Sequence, residues 1–410
     1  MPKAMQYTKG AVVYFEGDCD DRIYILQQGT LVLTSTDIET GAQVVEQVKP
    51  GEFFGVKSAL GHFPREESAT ALTEAMVVCL SVKEFEILFS QNKQLIMKML
   101  RVFSNQLRQI HKKIESILNN VAEDQQSGML AVAKSFYDEE QFRSAADVYT
   151  KFLQRFPDSP RKGEVAPILK ECLLRAQKQA LRKSSYGSSS EPAGEASSLQ
   201  IFSLPAFARF AKTYEPGQVI ISEFEPGDSF YLIKSGNVQL VKCVNGAKKN
   251  LDILKPGEFF GEMAILDSSP RSATCLADGK VECLEFNKAN FEVLITGNPQ
   301  IALILLKLFC KRIYDQKRRF KILVIKDISA RVVNVLLMLD EMNPGKPNDR
   351  QRRLNVTVGD VAHWAGLPLD TTNAELHKLV ERHKIEIYDT YVIINNINDL
   401  KRVYGKIDEN

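Results

Sequence analysis

Histidine and tryptophan are scarce in this 410-residue chain, which holds five His and a single Trp. No H-E-x-x-H run and no Cys/His cluster occurs, so neither a metal site nor a cofactor is expected. The seven cysteines (Cys19, Cys79, Cys172, Cys243, Cys275, Cys283, Cys310) are scattered without a C-x-x-C pair, which argues for small buried hydrophobes rather than a redox centre. Long apolar runs are missing too: nothing approaches the roughly 18 residues that would cross a bilayer. The N-terminal MPKAMQYTKG lacks the apolar core of a signal peptide, so a cytoplasmic location with no membrane partner is expected. No nucleophile-base pairing or paired carboxylates can be picked out, and an enzyme is not expected. The net charge of +2 is too small to imply a polyanionic partner, so any such claim has to rest on local features.

What is present is ordinary globular composition, 44% apolar and 25% charged, in a chain long enough for several cores. An internal repeat sets the organisation. KPGEFFG occurs at Lys49 to Gly55 and again at Lys255 to Gly261. Upstream, Ile23-Tyr24-Ile25-Leu26-x-x-Gly29 matches Phe230-Tyr231-Leu232-Ile233-x-x-Gly236, and Gly10 matches Gly217. Short β-rich runs such as Thr30 to Thr34 and Asn237 to Val241 lie between Gly and Asp turn signals, the pattern of a small antiparallel jelly roll.

Each β-rich block leads into an amphipathic helix. In the second, Ala302, Leu306, Phe309, Ile313, Gln316, Phe320 and Leu323 follow alternating spacings of four and three, which suits a homodimer seam. A similar stripe in the first runs through Ile96, Met99, Phe103, Leu107, Ile110, Ile114 and Ile117. Residues 125–183 break the β pattern, and Gln141 to Pro160 resembles one tetratricopeptide-like helical hairpin, read as a spacer or a docking element for a protein partner. Residues 184–199, rich in Ser, Gly and Ala, read as a flexible linker.

The second repeat continues Gly261-Glu262-Met263-Ala264 and, after a short loop, Arg271-Ser272-Ala273. A glycine lets backbone approach a ligand, a carboxylate accepts from a ribose hydroxyl, and an arginine fork pairs with a phosphate. A structural ion pair between Glu262 and Arg271 would use the same residue types. This segment resembles the phosphate-binding cassette of the cyclic-nucleotide-binding superfamily. That resemblance implies Glu262 on the ribose 2′-hydroxyl, Arg271 and Ser272 on the cyclic phosphate, and Gly261, Met263, Ala264 and Ala273 shaping the loop. It further implies base contacts from the long helix at Gln316 and Lys317, with cyclic AMP as the expected ligand and a cyclic dinucleotide as the alternative. In the first repeat Gly55 is followed by Val56-Lys57-Ser58, Arg65 stays in register, and Glu66 and Glu67 read as inserted ahead of Ser68. Two carboxylates there oppose anion binding.

The C-terminal segment resembles the winged helix of the cyclic-AMP receptor and fumarate-nitrate regulator family, with Ala362 at a helix contact, Gly366 in the turn and a recognition helix over Asp370 to Arg382. Thr371, Thr372, Asn373 and Lys378 are the expected DNA-contacting residues. Residues 327–410 carry 11 Lys/Arg against 13 Asp/Glu, so phosphate contacts would have to come from the run Lys317, Arg318, Arg319 and Lys321 upstream. The expected fold is α+β and multidomain: a degenerate cyclic-nucleotide-binding β-roll with its long helix at 1–124, an α-helical hairpin at 125–183, a linker at 184–199, a complete β-roll with a dimerisation helix at 200–326, and a winged helix-turn-helix at 327–410. The expected function is cyclic-nucleotide-responsive transcription regulation by a homodimer, ligand at Arg271 repositioning the winged helix through the 301–326 helix; a signalling scaffold that binds proteins rather than DNA is the rival.

Overall fold

The computed structural model describes residues 2–117, 124–183, 205–244, 247–267, 269–342 and 349–404. The expected linker at 184–199 lies outside them. The chain divides into two compact units, one of Met1–Ile117 with Leu294–Asn410 and one of Leu118–Val293.

In the first unit, β1 (Lys3–Tyr7), β2 (Val12–Tyr14), β3 (Ile23–Gln28), β4 (Leu31–Thr36), β5 (Gln43–Val48), β6 (Phe53–Phe54), β7 (Ser68–Ala71) and β8 (Ala75–Leu80) form two antiparallel sheets, ordered β1-β8-β3-β6 and β2-β7-β4-β5. Alternate residues point inward, so Tyr14, Tyr24, Leu26, Leu31, Phe54 and Val77 make one core between the sheets. A short α1 (Val56–Gly61) follows β6, and α2 (Val82–Gln91) starts in a capping box in which Ser81 and Glu84 satisfy each other's backbone amides. α3 (Lys93–Ile117) then runs on as the first long helix.

In the second unit, α4 (Gln125–Asp138), α5 (Phe142–Arg155) and α6 (Lys162–Lys183) pack in sequence. β9 (Ala211–Tyr214), β10 (Val219–Ile221), β11 (Ser229–Val244), β12 (Ala247–Leu254), β13 (Phe259–Phe260), α7 (Glu262–Asp267) and β14 (Thr274–Asn287) build the second β-roll, ordered β10-β14-β11-β12 with β13 on β11 and β9 on β14. The helices are more than the expected spacer. Met129, Phe136, Val148 and Phe152 share one core with Val219, Val241 and Leu276 of the roll. Ser144 Oγ donates to Gly217 O at 2.7 Å, and Asp147 accepts from Val219 N at 2.9 Å. Three helices stand where a hairpin was expected, and so small a bundle has too little apolar surface to stand alone; here the sheet supplies the rest.

α8 (Lys288–Gly297) leads into α9 (Pro299–Val324), the second long helix, whose residues group with the first unit. Met99, Phe103 and Leu107 of α3 and Leu306, Phe309 and Ile313 of α9 are buried where these helices pack along each other. Much of the stripe expected to join two chains is therefore buried within one chain, where α3 and α9 pack along each other. α10 (Ile328–Met342), β15 (Arg352–Leu354), α11 (Val358–Ala365), α12 (Leu369–Glu381), β16 (Ile385–Ile387), β17 (Val392–Ile394) and α13 (Ile397–Tyr404) complete the unit around a core that includes Val332, Leu336, Val361, Leu376 and Ile394. The strands order β15-β17-β16, and Gly366 turns α11 toward α12 at φ 63° with Ala362 buried beside it. Among the described residues, no single helix is long and apolar enough to cross a membrane.

Candidate functional site

In the second β-roll, β13 ends at Phe260 and Gly261 turns the chain at φ +80° into α7, whose first residue is Glu262. Only glycine fits easily, because a Cβ at Gly261 would come within 2.8 Å of Arg271 Nη1 as well as occupying a left-handed backbone. Glu262 and Arg271 are 1% and 4% exposed, Met263, Ala264 and Ala273 are buried, and Ser272 is half-buried. The Arg271 side chain donates from Nη1 to Gly261 O at 2.6 Å and from Nη2 to Ser229 Oγ at 3.3 Å, both neutral acceptors. Its backbone is gripped by the 222–228 loop, Arg271 N donating to Glu225 O and Phe224 N to Arg271 O. Lys242 Nζ donates to Ser272 O at 2.9 Å and pairs with Glu223 at 3.1 Å.

Two features of this loop escape a reading of the sequence. Gly227 allows close packing: a Cβ there would lie 2.2 Å from Ala264 Cβ and 3.1 Å from the Arg271 guanidinium. The Pro226-Gly227 turn pair was its only signal. Glu225, buried, accepts from Ser222 N and pairs with Lys151 at 3.2 Å and Arg155 at 3.4 Å, so α5 holds the loop that holds Arg271. Nothing in the separate segments shows that pairing.

The first β-roll places Arg65 at the equivalent position with different chemistry around it. Arg65 donates to Gly55 O at 2.6 Å, Ser58 Oγ at 2.8 Å, Arg22 O at 2.6 Å and the Asp20 carboxylate at 2.5 Å, and its guanidinium lies over the Tyr14 ring at 4.5 Å. Strand register corrects the expected insertion. Ser68 pairs with Thr34 as Thr274 pairs with Val241, and Ala71 pairs with Leu31 as Ala277 pairs with Val238. The hydroxyls of Ser68 and Thr274 also accept matching amides, Glu16 N and Glu223 N. Glu66 and Glu67 thus replace Ser272 and Ala273 one for one, since Arg65 and Ser68 stand three residues apart just as Arg271 and Thr274 do, which leaves no room for an insertion. Glu66 is held by Lys57 at 3.5 Å and by Lys317 of α9 at 2.9 Å. Burial works to raise the Glu66 carboxyl, but the two lysines outweigh it and keep it below its ordinary value. For Lys57 burial pulls down, yet Glu67 and Glu66 hold its ammonium above the ordinary value. Lys317, expected as a base contact, is thereby engaged with the first β-roll, and burial followed by Lys57 lowers its pKa; Gln316 is half-buried on the same helix.

On α12, Thr372 is fully buried and donates to Pro368 O at 3.0 Å, so it cannot read a base edge: it faces the core beside Leu376. Thr371 is half-buried, Asn373 is exposed, and Lys378 is exposed but paired with Glu375 at 2.6 Å. Most of the basic run upstream is also engaged inside the unit. Besides Lys317 on Glu66, Arg318 pairs with Glu341, and Arg319 is buried with Nη2 donating to His363 O at 3.1 Å and its guanidinium 5.2 Å from the Trp364 ring centre. Burial lowers the Arg319 pKa to about 10. Lys321 remains exposed.

The family model for the cyclic nucleotide-binding domain matches residues 4–92 and 211–298, so this chain carries two such domains, regulatory modules typical of non-catalytic proteins. Distant homology to receptor-type regulators spans about half the chain. It is 26% identical over 204 residues to the CRP-like cAMP-activated global transcriptional regulator of Mycobacterium tuberculosis, covering 48% of this chain and 91% of that one. It is 28% identical over 177 residues to the cyclic AMP receptor protein of Thermus thermophilus, covering 43% and 79%. It is also 37% identical over 82 residues to the cAMP-dependent protein kinase regulatory subunit of Mucor circinelloides, 20% of this chain and 19% of that one. Among solved structures, the Thermus thermophilus catabolite activator protein is similar at TM-score 0.29 and 25% identity, over 52% of this chain and all of that one.

Proposed function

We propose that this protein is a cyclic-nucleotide-responsive transcription regulator that takes cyclic AMP in its second β-roll. In this reading Arg271 and Ser272 hold the cyclic phosphate, Glu262 accepts from the ribose 2′-hydroxyl, and Gly261, Met263, Ala264 and Ala273 form the close-fitting loop. The observation that carries it is the contrast between the two arginines: Arg65 is tied to the Asp20 carboxylate, whereas the bonds Arg271 donates go to neutral oxygens. A buried guanidinium with only neutral acceptors is costly, and an anionic ligand would compensate it. Calorimetry with cyclic AMP should give one site per chain. Arg271→Ala should remove binding, at about 2–5 kcal/mol for a desolvated charge pair. Two equal sites per chain, or unchanged affinity in that variant, would overturn the assignment.

The output side of the proposal is that α10 to α13 with β15 to β17 form a winged helix-turn-helix that contacts DNA. Its support is the length of the alignment to the mycobacterial regulator, which at 204 residues runs well past one β-roll, and the Gly366 turn between α11 and α12. A second output, contact with a protein, is favoured by a specific observation: Lys317, Arg318 and Arg319 are spent on internal partners and Thr372 is buried. A gel-shift series with promoter fragments, with and without cyclic AMP, separates them. No shift in any condition would leave the protein-binding output.

A further inference from the structure

The first β-roll carries a cleft of about 300 Å³ beneath α3, open to solvent on one side and lined among others by Val56, Met99 and Phe103 and by Glu67, Gln106 and Lys317. Four observations define what fits it. The place of the anion-binding Ser272 is taken by Glu66, whose carboxylate already occupies Lys57 and Lys317. Arg65, the one guanidinium in register with Arg271, is held by Asp20, which occupies the position of Gly227. The charged residues of the lining, Glu46, Glu52 and Glu67 against Lys57, Lys98 and Lys317, balance and so leave no net charge to attract an ion of either sign. Finally, Gln106 is half-buried on α3 and its Oε1 has no hydrogen-bond partner within the chain, so an N–H or O–H of a bound molecule can donate to it.

We infer that this cavity is a second effector site for a small uncharged molecule with an apolar body and at least one N–H or O–H donor, and that it does not take a cyclic nucleotide. The apolar wall contributes in proportion to the surface it covers, and the donor answers Gln106. A phosphate would meet Glu66 and Glu67 in place of the serine and alanine of the second roll. The effector would also have a route to the rest of the unit. Met99, Phe103 and Gln106 lie on α3, and α3 packs along α9, so occupancy of the cavity bears directly on the helix that Lys317 ties to the same roll.

Phenylacetamide and phenylacetate share one frame and differ in charge and in the amide donor, which makes them the discriminating probes. Ligand-observed NMR on the full chain should show phenylacetamide binding at least roughly tenfold more tightly than phenylacetate, equivalent to about 1.4 kcal/mol. Gln106→Leu should weaken the amide, and Val56→Phe, which places a ring in the cavity, should abolish it. Amide exchange over β3 and β8 of the first roll, measured on each variant, reports that this unit is folded and is expected to stay protected, and the cyclic AMP titration of the second roll is expected to be unchanged. No phenylacetamide binding to the wild type, preference for phenylacetate, or full amide binding in folded Val56→Phe would overturn the inference. Loss of the cyclic AMP site alone would overturn only the function proposed for the second roll.

Discussion

Gly227 and Asp20 occupy one position in the two β-rolls, and the exchange decides what the neighbouring arginine can do. In the second roll the missing side chain lets Ala264 pack against the loop and leaves Arg271 with neutral partners; in the first, the Asp20 carboxylate captures Arg65. Gly227→Ala should therefore cost about 1–3 kcal/mol by overpacking, read as a lower melting temperature, and weaken cyclic AMP because the added Cβ crowds the guanidinium. A variant with unchanged melting point and affinity would show that the loop tolerates the methyl. The carboxylate at Glu66 gives a pH signature. Its pKa is lower in the folded chain than in the unfolded one, so its contribution is present above the ordinary carboxyl value, about 4.3, and is lost as pH falls through the folded value. The melting-temperature gap between wild type and Glu66→Gln should accordingly be widest near neutral pH and close on acidification. A gap independent of pH would mean that Glu66 acts by packing rather than charge.

At the scale of elements, α9 is the part whose surroundings matter most. Its apolar stripe packs along α3, its Lys317 meets Glu66, Tyr314 stacks on Phe63 at 4.2 Å, and Arg319 reaches His363 and Trp364 of α11. Phe309→Glu would bury a charge in a seam closed within one chain, so the expected result is a large loss of stability, with light scattering giving the same mass for whatever folded protein remains. A halved mass would restore the dimer seam. Arg319→Met should release α11 from α9: the lost charge-assisted bond and ring contact are worth roughly 1–3 kcal/mol, and amide exchange over residues 358–366 should quicken more than in α3. Uniform exchange in both helices would deny Arg319 a coupling role.

For the molecule as a whole, the distribution of charge sets the expectation for nucleic acid. The 327–410 segment is formally −2, and of the four cations expected to serve phosphates only Lys321 is exposed without an internal ion-pair partner. Each phosphate contact contributes a slope of roughly −0.9 in log affinity against log salt, so any DNA binding should show a shallow slope of about −1 to −3. A steep slope would mean that Lys317 and Arg318 leave Glu66 and Glu341 when DNA arrives.

The repeat, the two β-rolls and the departure of the first repeat at Val56 were readable from residue order, because glycine turns and strand alternation are local and leave local patterns. The amphipathic stripes were readable as stripes, but not their partners: periodicity states that a face is apolar and is silent about which face covers it, and here α3 covers α9. The same limit explains why Thr372 read as exposed, why Lys317 was assigned to a nucleotide base, and why Glu66 and Glu67 read as an insertion. Each depends on where a second segment lies, through helix rotation, an ion pair with a residue far along the chain, or strand register, and these are decided only when the core closes.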